Sequence, residues 1–440
     1  MEQQHLLSVS DEVFVNGGKS SLTLSVDGIL QWLDGGLIRR CLSVEKEVLG
    51  FSKSGRLITI RALVQTAADR FCFGSSGEGS LTRKRFVFEA VTEDSLRNLC
   101  EKIQGYIDSL GRPKKLFIFV NPFGGRKSAS KIFTNDIKPI LEDANIEYTL
   151  QETRYQLHAK EVSCSLDLTK YDGIICVSGD GILVEVVNGL LERKDWAVAL
   201  KVPLGVIPAG TGNGMIKSLL DSVNQPCTPA HATLAVVRGH KRSLDVATIW
   251  QGETTFFSVL MLAWGLVSDI DIESEKYRWM GSARIDFYAL KRILRLRKYN
   301  GSICFVPGPG FEDVGESNDS CVDSMEPLIM PRQHGYQGPN IDLKNLNWRK
   351  IEGPFVSVWL HNVPWGAENT MAAPDAKVKA VILEPGSRTD DSMKEGIIDS
   401  DGEVLARGKG TYKCNLKSLM AYDKIQVVVD QGLATLFTPI

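Results

Sequence analysis

Between residues 114 and 220 the chain repeats one pattern three times: a short apolar run, a glycine-rich turn, then a helix-like spacing of apolar residues. LFIFV (116–120) leads into NPFGGRKSASKIF, GIICV (173–177) into SGDGILVEVVNGLL, and LGVI (204–207) into PAGTGNGMIKSLL. Buried strands that alternate with helices form a parallel α/β sheet, whose ligands bind at the carboxyl ends of the strands. All three turns are therefore predicted to share one rim.

Each turn has an ordinary reading beside a chemical one. In NPFGGRKS (121–128) Pro122 fixes a bend, Gly124 and Gly125 allow close backbone approach, and Arg126, Lys127 and Ser128 open a helix. That suits a polyphosphate, but the spacing is not that of a P-loop and a plain strand-to-helix turn uses the same residues. Asp180, between Gly179 and Gly181, fits a tight turn, a helix cap, a phosphate cradle, or a proton acceptor for an attacking hydroxyl. Glu185 and Asn188, three apart on the following helix, face one way and could hold that site in shape. PAGTGNGM (208–215) packs three glycines, Thr211 and Asn213 into eight residues, useful to a backbone lying against a nucleotide and of no use to an apolar core. Together the turns point to a nucleotide phosphate site.

The flanks read differently. Residues 13 to 92 form short runs of period two separated by Gly and Ser, followed by a helix with Thr92 as N-cap and Leu96, Leu99, Ile103 and Ile107 on one face. Strands closed by one helix resemble a pleckstrin-homology-like module, or equally an unrelated β-rich domain. After residue 240 strand-like runs return, interrupted by a polar stretch from 308 to 350, of which 311 to 340 has no apolar period and reads as a mobile loop. The expected organisation is a β-rich module (1–112), an α/β nucleotide domain (113–240) and a β-rich domain (241–440); 440 residues exceed one ordinary core. With 51 basic against 53 acidic residues, charge gives no case for a nucleic-acid partner. The nine scattered cysteines favour free thiols in a reducing compartment. The N-terminus lacks the pattern of a signal peptide, and the longest apolar stretch, 256 to 267, is too short to span a bilayer.

NPFGG, SGDG with GILVEVVNGL, and PAGTGN, in this order, resemble the catalytic domain of the diacylglycerol kinase and sphingosine kinase superfamily, over residues 114 to about 300 and again from 353 to 440. The resemblance implies an α/β nucleotide domain followed by a β-sandwich lipid domain. It implies ATP contacts from Asn121, Pro122, Gly124, Gly125, Thr153, Ser178, Gly179, Gly181, Glu185 and Thr211, with Asp180 as catalytic base. LAWGLVSDIDIESEKYRWMGSAR (262–284) is similar to the sphingosine kinase segment in which an aspartate receives the lipid head group and arginines reach the ATP phosphates, roles that fall to Asp271, Arg278 and Arg284. A long-chain base carries an ammonium that a carboxylate binds, whereas diacylglycerol offers no cation. The ordinary alternative is that Asp269, Asp271, Glu273 and Glu275 are a solvated acidic run. HNVPWGAENTMAAPDAK (361–377) and IIDSDGEVLARG (397–408) also resemble the family, and put Asp401, Gly402 and Glu403 on an Asp-Gly-Glu element that approaches the nucleotide or its magnesium. No set of metal ligands follows.

The implied activity is transfer of the γ-phosphoryl of ATP, with Mg2+, to the primary hydroxyl of a sphingoid base such as sphingosine, sphinganine or phytosphingosine. Diacylglycerol or ceramide kinase activity, or a catalytically impaired form that still binds ATP and lipid, are the alternatives. Two departures bear on this. Met261 stands where a small polar residue is expected, and AAPDAK runs straight into VKAVILEPG at 377–378, where relatives place further strands and a helix of the lipid domain. A lipid substrate also requires a membrane surface, so a cytoplasmic protein in peripheral contact with intracellular membranes is expected. RILRLRKY (292–299) fits such contact, or a solvated helix with one buried edge.

Overall fold

Alternating apolar runs in the first 90 residues build an antiparallel sheet in the computed structural model, which describes residues 8–35, 38–65, 80–125, 127–281, 283–317, 334–340, 346–367, 369–372, 376–412 and 417–440. Its strands are β1 (Val9–Val15), β2 (Gly18–Leu24), β3 (Ile29–Asp34), β4 (Ile38–Ser43), β5 (Val48–Ser54), β6 (Leu57–Gln65) and β7 (Leu81–Ala90), in the spatial order β4-β3-β2-β1-β7-β6-β5. Helix α1 (Glu93–Ser109) starts where the Thr92 hydroxyl accepts the Ser95 N–H at 3.1 Å, and lays Leu96, Leu99 and Ile103 onto Trp32, Ile58, Ile60 and Phe88.

The turn after β4 is bound to the next part of the chain through arginines. Arg112 donates to the carbonyls of Val44, Glu45, Val48 (2.8 Å) and Leu49 (3.2 Å), and Arg238 donates to Lys46 O at 2.7 Å. Burial, with Arg238 nearby, lowers the Arg112 guanidinium to about 10.

The repeated strand-turn-helix pattern forms a parallel unit in the order β11-β10-β8-β9, from β8 (Lys115–Val120), β9 (Glu147–Glu152), β10 (Gly173–Ser178) and β11 (Leu204–Pro208). Its helices are α2 (Ala129–Ile132), α3 (Lys138–Asp143), α4 (His158–Ser165), α5 (Asp180–Leu191), α6 (Trp196–Ala199), α7 (Gly214–Asp221) and α8 (Pro229–Arg238). A wider turn over 133–137 links α2 to α3. Every residue of β10 is buried, as a central parallel strand requires. The three glycine turns leave adjacent parallel strands and lie on one rim.

The remaining elements are β12 (Lys241–Gln251), β13 (Thr254–Ser258), β14 (Met261–Gly265), α9 (Leu266–Glu273), a tight helical stretch Ser274–Met280, α10 (Ala283–Ile293), β15 (Tyr299–Pro307), β16 (Glu316–Ser317), β17 (Arg349–Glu352), β18 (Ser357–His361), β19 (Trp365–Ala367), β20 (Thr370–Met371), β21 (Val378–Arg388), β22 (Ile397–Ser400), β23 (Glu403–Arg407) and β24 (Ile425–Phe437). These strands divide among sheets. β15, β16, β17, β21 and β24 extend the parallel unit to an eleven-stranded mixed sheet together with β12 and β13, while β18-β14-β22-β23 form a four-stranded sheet. The seam is β24, antiparallel to β12 and β21 and parallel to β11 at Leu436 and Leu204. The sheet thus crosses residue 240 without a break.

Two local expectations are corrected, and the shortened junction is located. Within the stretch expected to be mobile, Tyr336 is buried against Trp196 and Phe257 with its hydroxyl on Asp430, and Trp348, in the same polar insertion, is buried near Trp250 and Val306. Single aromatic anchors carry no period, so pattern reading passes over them; residues 318–333 and 341–345 lie outside the described part. Cys304 is disulfide-bonded, while Cys41, Cys100, Cys164, Cys176 and Cys227 are free. At the shortened junction Val378 enters β21 directly, paired with Pro307, and Gly308 donates to Lys377 O at 2.7 Å. No described helix is long and apolar enough to cross a membrane.

Replacing Arg112 by Met removes its four bonds to the amino-terminal module and leaves those carbonyls without that donor. The expected loss is about 2–4 kcal/mol of unfolding free energy in urea; an unchanged midpoint and slope would show that the module is held by other contacts.

Candidate active site

Backbone lies directly on backbone where the turns meet. A Cβ built on Gly210 would stand 2.3 Å from the Cα of Gly179, and one on Gly125 (φ +52°) would stand 2.9 Å from the carbonyl carbon of Gly210. Only glycine permits such approach, so these positions join the three turns into one surface. A Cβ on Gly181 meets open space, and Gly181 is the second residue of α5. The Asn121 side chain accepts the N–H groups of Phe123 (3.0 Å) and Gly124 (3.2 Å), bending the first turn over Pro122. Thr211 is half-buried in the third turn, whose shape is set by Asn213, bonded to both polar groups of Gly210 at 3.2 Å. Thr153 and Ser178 are buried at the ends of β9 and β10.

The acidic residues do something the sequence did not indicate. Asp180 does not cap its own helix. Its oxygens accept the N–H groups of Gly214 (2.7 Å) and Met215 (3.1 Å), so it caps α7, while its own N–H donates to Gly212 O at 3.1 Å. Glu185 likewise accepts Leu157 N and Ala159 N, each at 3.0 Å, at the start of α4. Burial raises the pKa of Glu185 and these backbone N–H groups oppose the rise. Asn188 turns to β13, exchanging bonds with the backbone of Phe257. Glu185 and Asn188 therefore serve different partners.

The Asp-Gly-Glu element is the turn between β22 and β23. Asp401 is buried with φ +55°, followed by Gly402 at φ +83°, and its oxygens accept Val259 N (2.9 Å), Leu260 N (3.0 Å) and Met261 N (2.7 Å). Burial lifts it to about 6. Glu403 is lifted to about 7 by burial and then by the charge of Glu185, and it accepts Gln156 Nε2 at 2.7 Å. Gln156 was absent from the sequence-derived set, since a lone glutamine carries no pattern.

The lipid-side candidates gather on α9 and α10. Arg284 bonds Glu275 at 2.6 Å and Ser274 at 2.8 Å, so its guanidinium is held by the tight stretch that follows α9. The side chain of Arg278 lies outside the described residues. Burial raises the pKa of Asp271, Arg284 lowers it, and Glu275 raises it. Asp269 and Glu273, expected to be solvated in the ordinary reading, are instead buried on Arg297, at 3.0 and 2.9 Å, with Tyr299 on Asp269 and Tyr288 on Glu273. Met261 S accepts the Trp359 indole N–H at 3.0 Å.

Charged neighbours link the two halves of the site: Asp271 and Asp401 both act on Asp399, and Asp401 and Glu185 both act on Glu403. Among the described residues no group of three or more His, Cys, Asp or Glu side chains converges to hold a metal ion, and Asp401 spends its oxygens on backbone N–H groups. These residues do not fit a resident metal centre, so Mg2+ is considered only as part of the nucleotide substrate.

A parallel unit with three glycine turns on one rim and a β-rich half joined to it matches the diacylglycerol kinase catalytic domain model over residues 115–249. Sphingosine kinase 2 of Arabidopsis thaliana is 56% identical, covering 97% of this chain and 96% of that one, and sphingosine kinase 1 of the same plant is 54% identical, covering 98% and 96%. Human sphingosine kinase 2 is 40% identical over 46% of this chain and 32% of its own. The chain belongs to the sphingosine kinase family. Its alignment with the first of these relatives spans 468 positions, 28 more than the 440 residues here, so that relative carries at least that many residues without counterpart.

A carboxyl raised on folding favours the folded state while protonated, and that advantage disappears as pH climbs from its unfolded value, about 4.3, to its folded one. For Glu403 the window ends near 7. Stability should therefore fall as pH rises through this range, and Glu403→Gln should flatten the slope and add about 1–2 kcal/mol at pH 8, partial solvent contact limiting the gain. Urea unfolding at a series of pH values reads this directly; an unaltered slope in the variant assigns the effect elsewhere.

Proposed function

We propose that this chain is an ATP-dependent lipid kinase that phosphorylates the primary hydroxyl of sphingoid long-chain bases. Family membership supports the reaction. The observation that carries the substrate class is Asp271, a half-buried carboxylate whose pKa burial raises and Arg284 lowers, and which an ammonium can pair with. Neither diacylglycerol nor ceramide brings a cation.

In this reading the glycine turns receive the phosphates of the nucleotide, with Asn121, Pro122, Gly124, Gly125, Thr153, Ser178, Gly179, Gly181, Glu185 and Thr211 around it and Asp401, Gly402 and Glu403 bordering it. The nucleotide comes as its Mg2+ complex, whose ion offsets phosphate charge. Asp180 is the acceptor of the hydroxyl proton. Its two backbone bonds to α7 fix its orientation, and each carboxylate oxygen can take more than one donor. Arg278 and Arg284 are the cations assigned to offset the charge that develops on the transferred group, Arg284 exchanging Glu275 for phosphate when it does so. The sheet of β14, β18, β22 and β23 with α9 and α10 is the lipid-binding part, and the amino-terminal sheet is a pleckstrin-homology-like module.

Phosphorylation of sphinganine, ceramide and diacylglycerol in mixed micelles with Mg-ATP tests this. Sphinganine should be turned over in preference to both neutral lipids, Asp180→Asn should lower kcat about 10²–10⁴-fold with nucleotide binding retained, and Asp271→Asn should raise the sphinganine KM about 10- to 100-fold. Preference for a neutral lipid would overturn the substrate assignment.

Membrane contact is supported by α10, which is built inside out. Arg284, Tyr288 and Arg292 are buried, whereas Phe287, Leu290, Ile293 and Leu294 are exposed, as is Trp279 just before them, 81% accessible. Exposed Lys291, Arg295 and Lys298 lie among them. An apolar face edged by cations fits an anionic bilayer surface, and this face sits over the Asp271 segment. Leu290→Glu with Leu294→Glu should weaken sedimentation with phosphatidylserine vesicles at least about tenfold while leaving turnover of a short-chain, water-soluble base intact. Equal sedimentation would place the docking surface elsewhere.

A further inference from the structure

The face of β22 that looks at α9 carries one residue too polar for its position. Ile397 of β22 clusters with Ile272 of α9 and with Val404, so α9 covers the face that holds Ile397 and, two residues further, Asp399. Asp399 is fully buried and pairs across the sheet with Ala263 of β14. Neither of its oxygens has a hydrogen-bond partner, nor does the hydroxyl of buried Ser268 on α9; Ser268 lies close enough to temper the carboxylate without completing a bond of normal geometry. The charged neighbour that acts on it most strongly is Asp271, three residues along α9 from Ser268.

Such an arrangement does nothing for folding. A carboxylate removed from water with no donor is among the most costly groups a core can hold, and a second carboxylate beside it adds repulsion. Buried polar groups left without partners mark places where a ligand supplies the missing donors. A buried carboxylate without a partner, with a second acid acting on it, calls for a cation with several N–H or O–H donors. A 2-amino-1,3-diol head has an ammonium with three N–H donors and two hydroxyls.

We propose that Asp399 and Asp271 together form a two-carboxylate receptor for the amino-alcohol head of the sphingoid base, with the Ser268 hydroxyl as a third polar contact. This rests on the reading of Asp271 as the head-group residue and extends it with a second acid from the strand beneath. Selectivity then comes from both directions: the cationic head relieves the buried Asp399 and the half-buried Asp271, and a neutral amide or ester head in the same place relieves neither.

The test compares parent protein, Asp271→Asn, Asp399→Asn and Asp399→Ala by sphinganine kinetics, by ATP kinetics, and by melting with and without sphinganine. Asp399→Asn should raise the sphinganine KM about 10- to 100-fold, hold kcat within about threefold and leave the KM for ATP in place. Both Asp399 variants should melt higher than the parent without lipid, having lost an unpaired buried charge, and gain less from added sphinganine. If Asp271→Asn raises KM and Asp399→Asn does not, the second carboxylate has no part in binding and the proposal fails while the head-group reading stands. If neither raises it, the head-group reading itself falls. Melting of the Asp399 variants below the parent, or failure to fold, would show a structural role and also overturn the proposal.

Discussion

Three buried carboxylates, Asp180, Glu185 and Asp401, hold backbone N–H groups, and the site depends on that. Asp180 fastens the start of α7, Glu185 the start of α4, and Asp401 the N–H groups of Val259, Leu260 and Met261. Each set of bonds ties together two elements distant in the chain. Around Asp180 this works with the contact of Gly179 on Gly210: the glycines bring two turns together, and the carboxylate fixes the helix that follows the second. The acids are thereby oriented before any substrate arrives, which suits a reaction whose catalysis is mostly positioning.

The nucleotide rim was legible because its signals are local. Strand, glycine turn and helix follow one another within about twenty residues, and Thr92 at the head of α1 is equally readable. Residues that act across the chain were not legible. That Asp180 caps α7 depends on a contact 34 positions away, and Asp401 acts on residues about 140 positions before it. The nearest signal for Asp399 was the run IIDSDGE, in which the Asp-Gly-Glu turn draws attention and the aspartate two places earlier does not.

A different failure concerns α10. The run RILRLRKY (292–299) was noticed, but only Arg292 and Ile293 of it lie in the helix, which ends at 293 before β15 begins at Tyr299, and the earlier residues gave no sign of their sides, because an ordinary helix with that composition buries its leucines. Here the buried edge is polar, since Asp269 and Glu273 on α9 already occupy the interior and draw Arg292, Arg297 and Tyr288 inward. The apolar residues are left outside by the charges within. The separate lipid domain expected from the family pattern was likewise redrawn by one strand, because β24 pairs on both sides and welds later strands to the nucleotide sheet.

That strand has a consequence for how the protein is made. Residues 425–437 are made well after β11, yet they sit in the middle of the eleven-stranded sheet, and Phe437 packs at Gly173 and Gly205 on the central strands of the rim. Until they emerge, β11 ends in an open edge and β12 and β21 have no common neighbour. The nascent chain can assemble its amino-terminal sheet early, but the glycine-turn rim acquires its complete support only once β24 has been made. Synthesis of that late strand is in this sense built into the architecture as a condition for a finished rim.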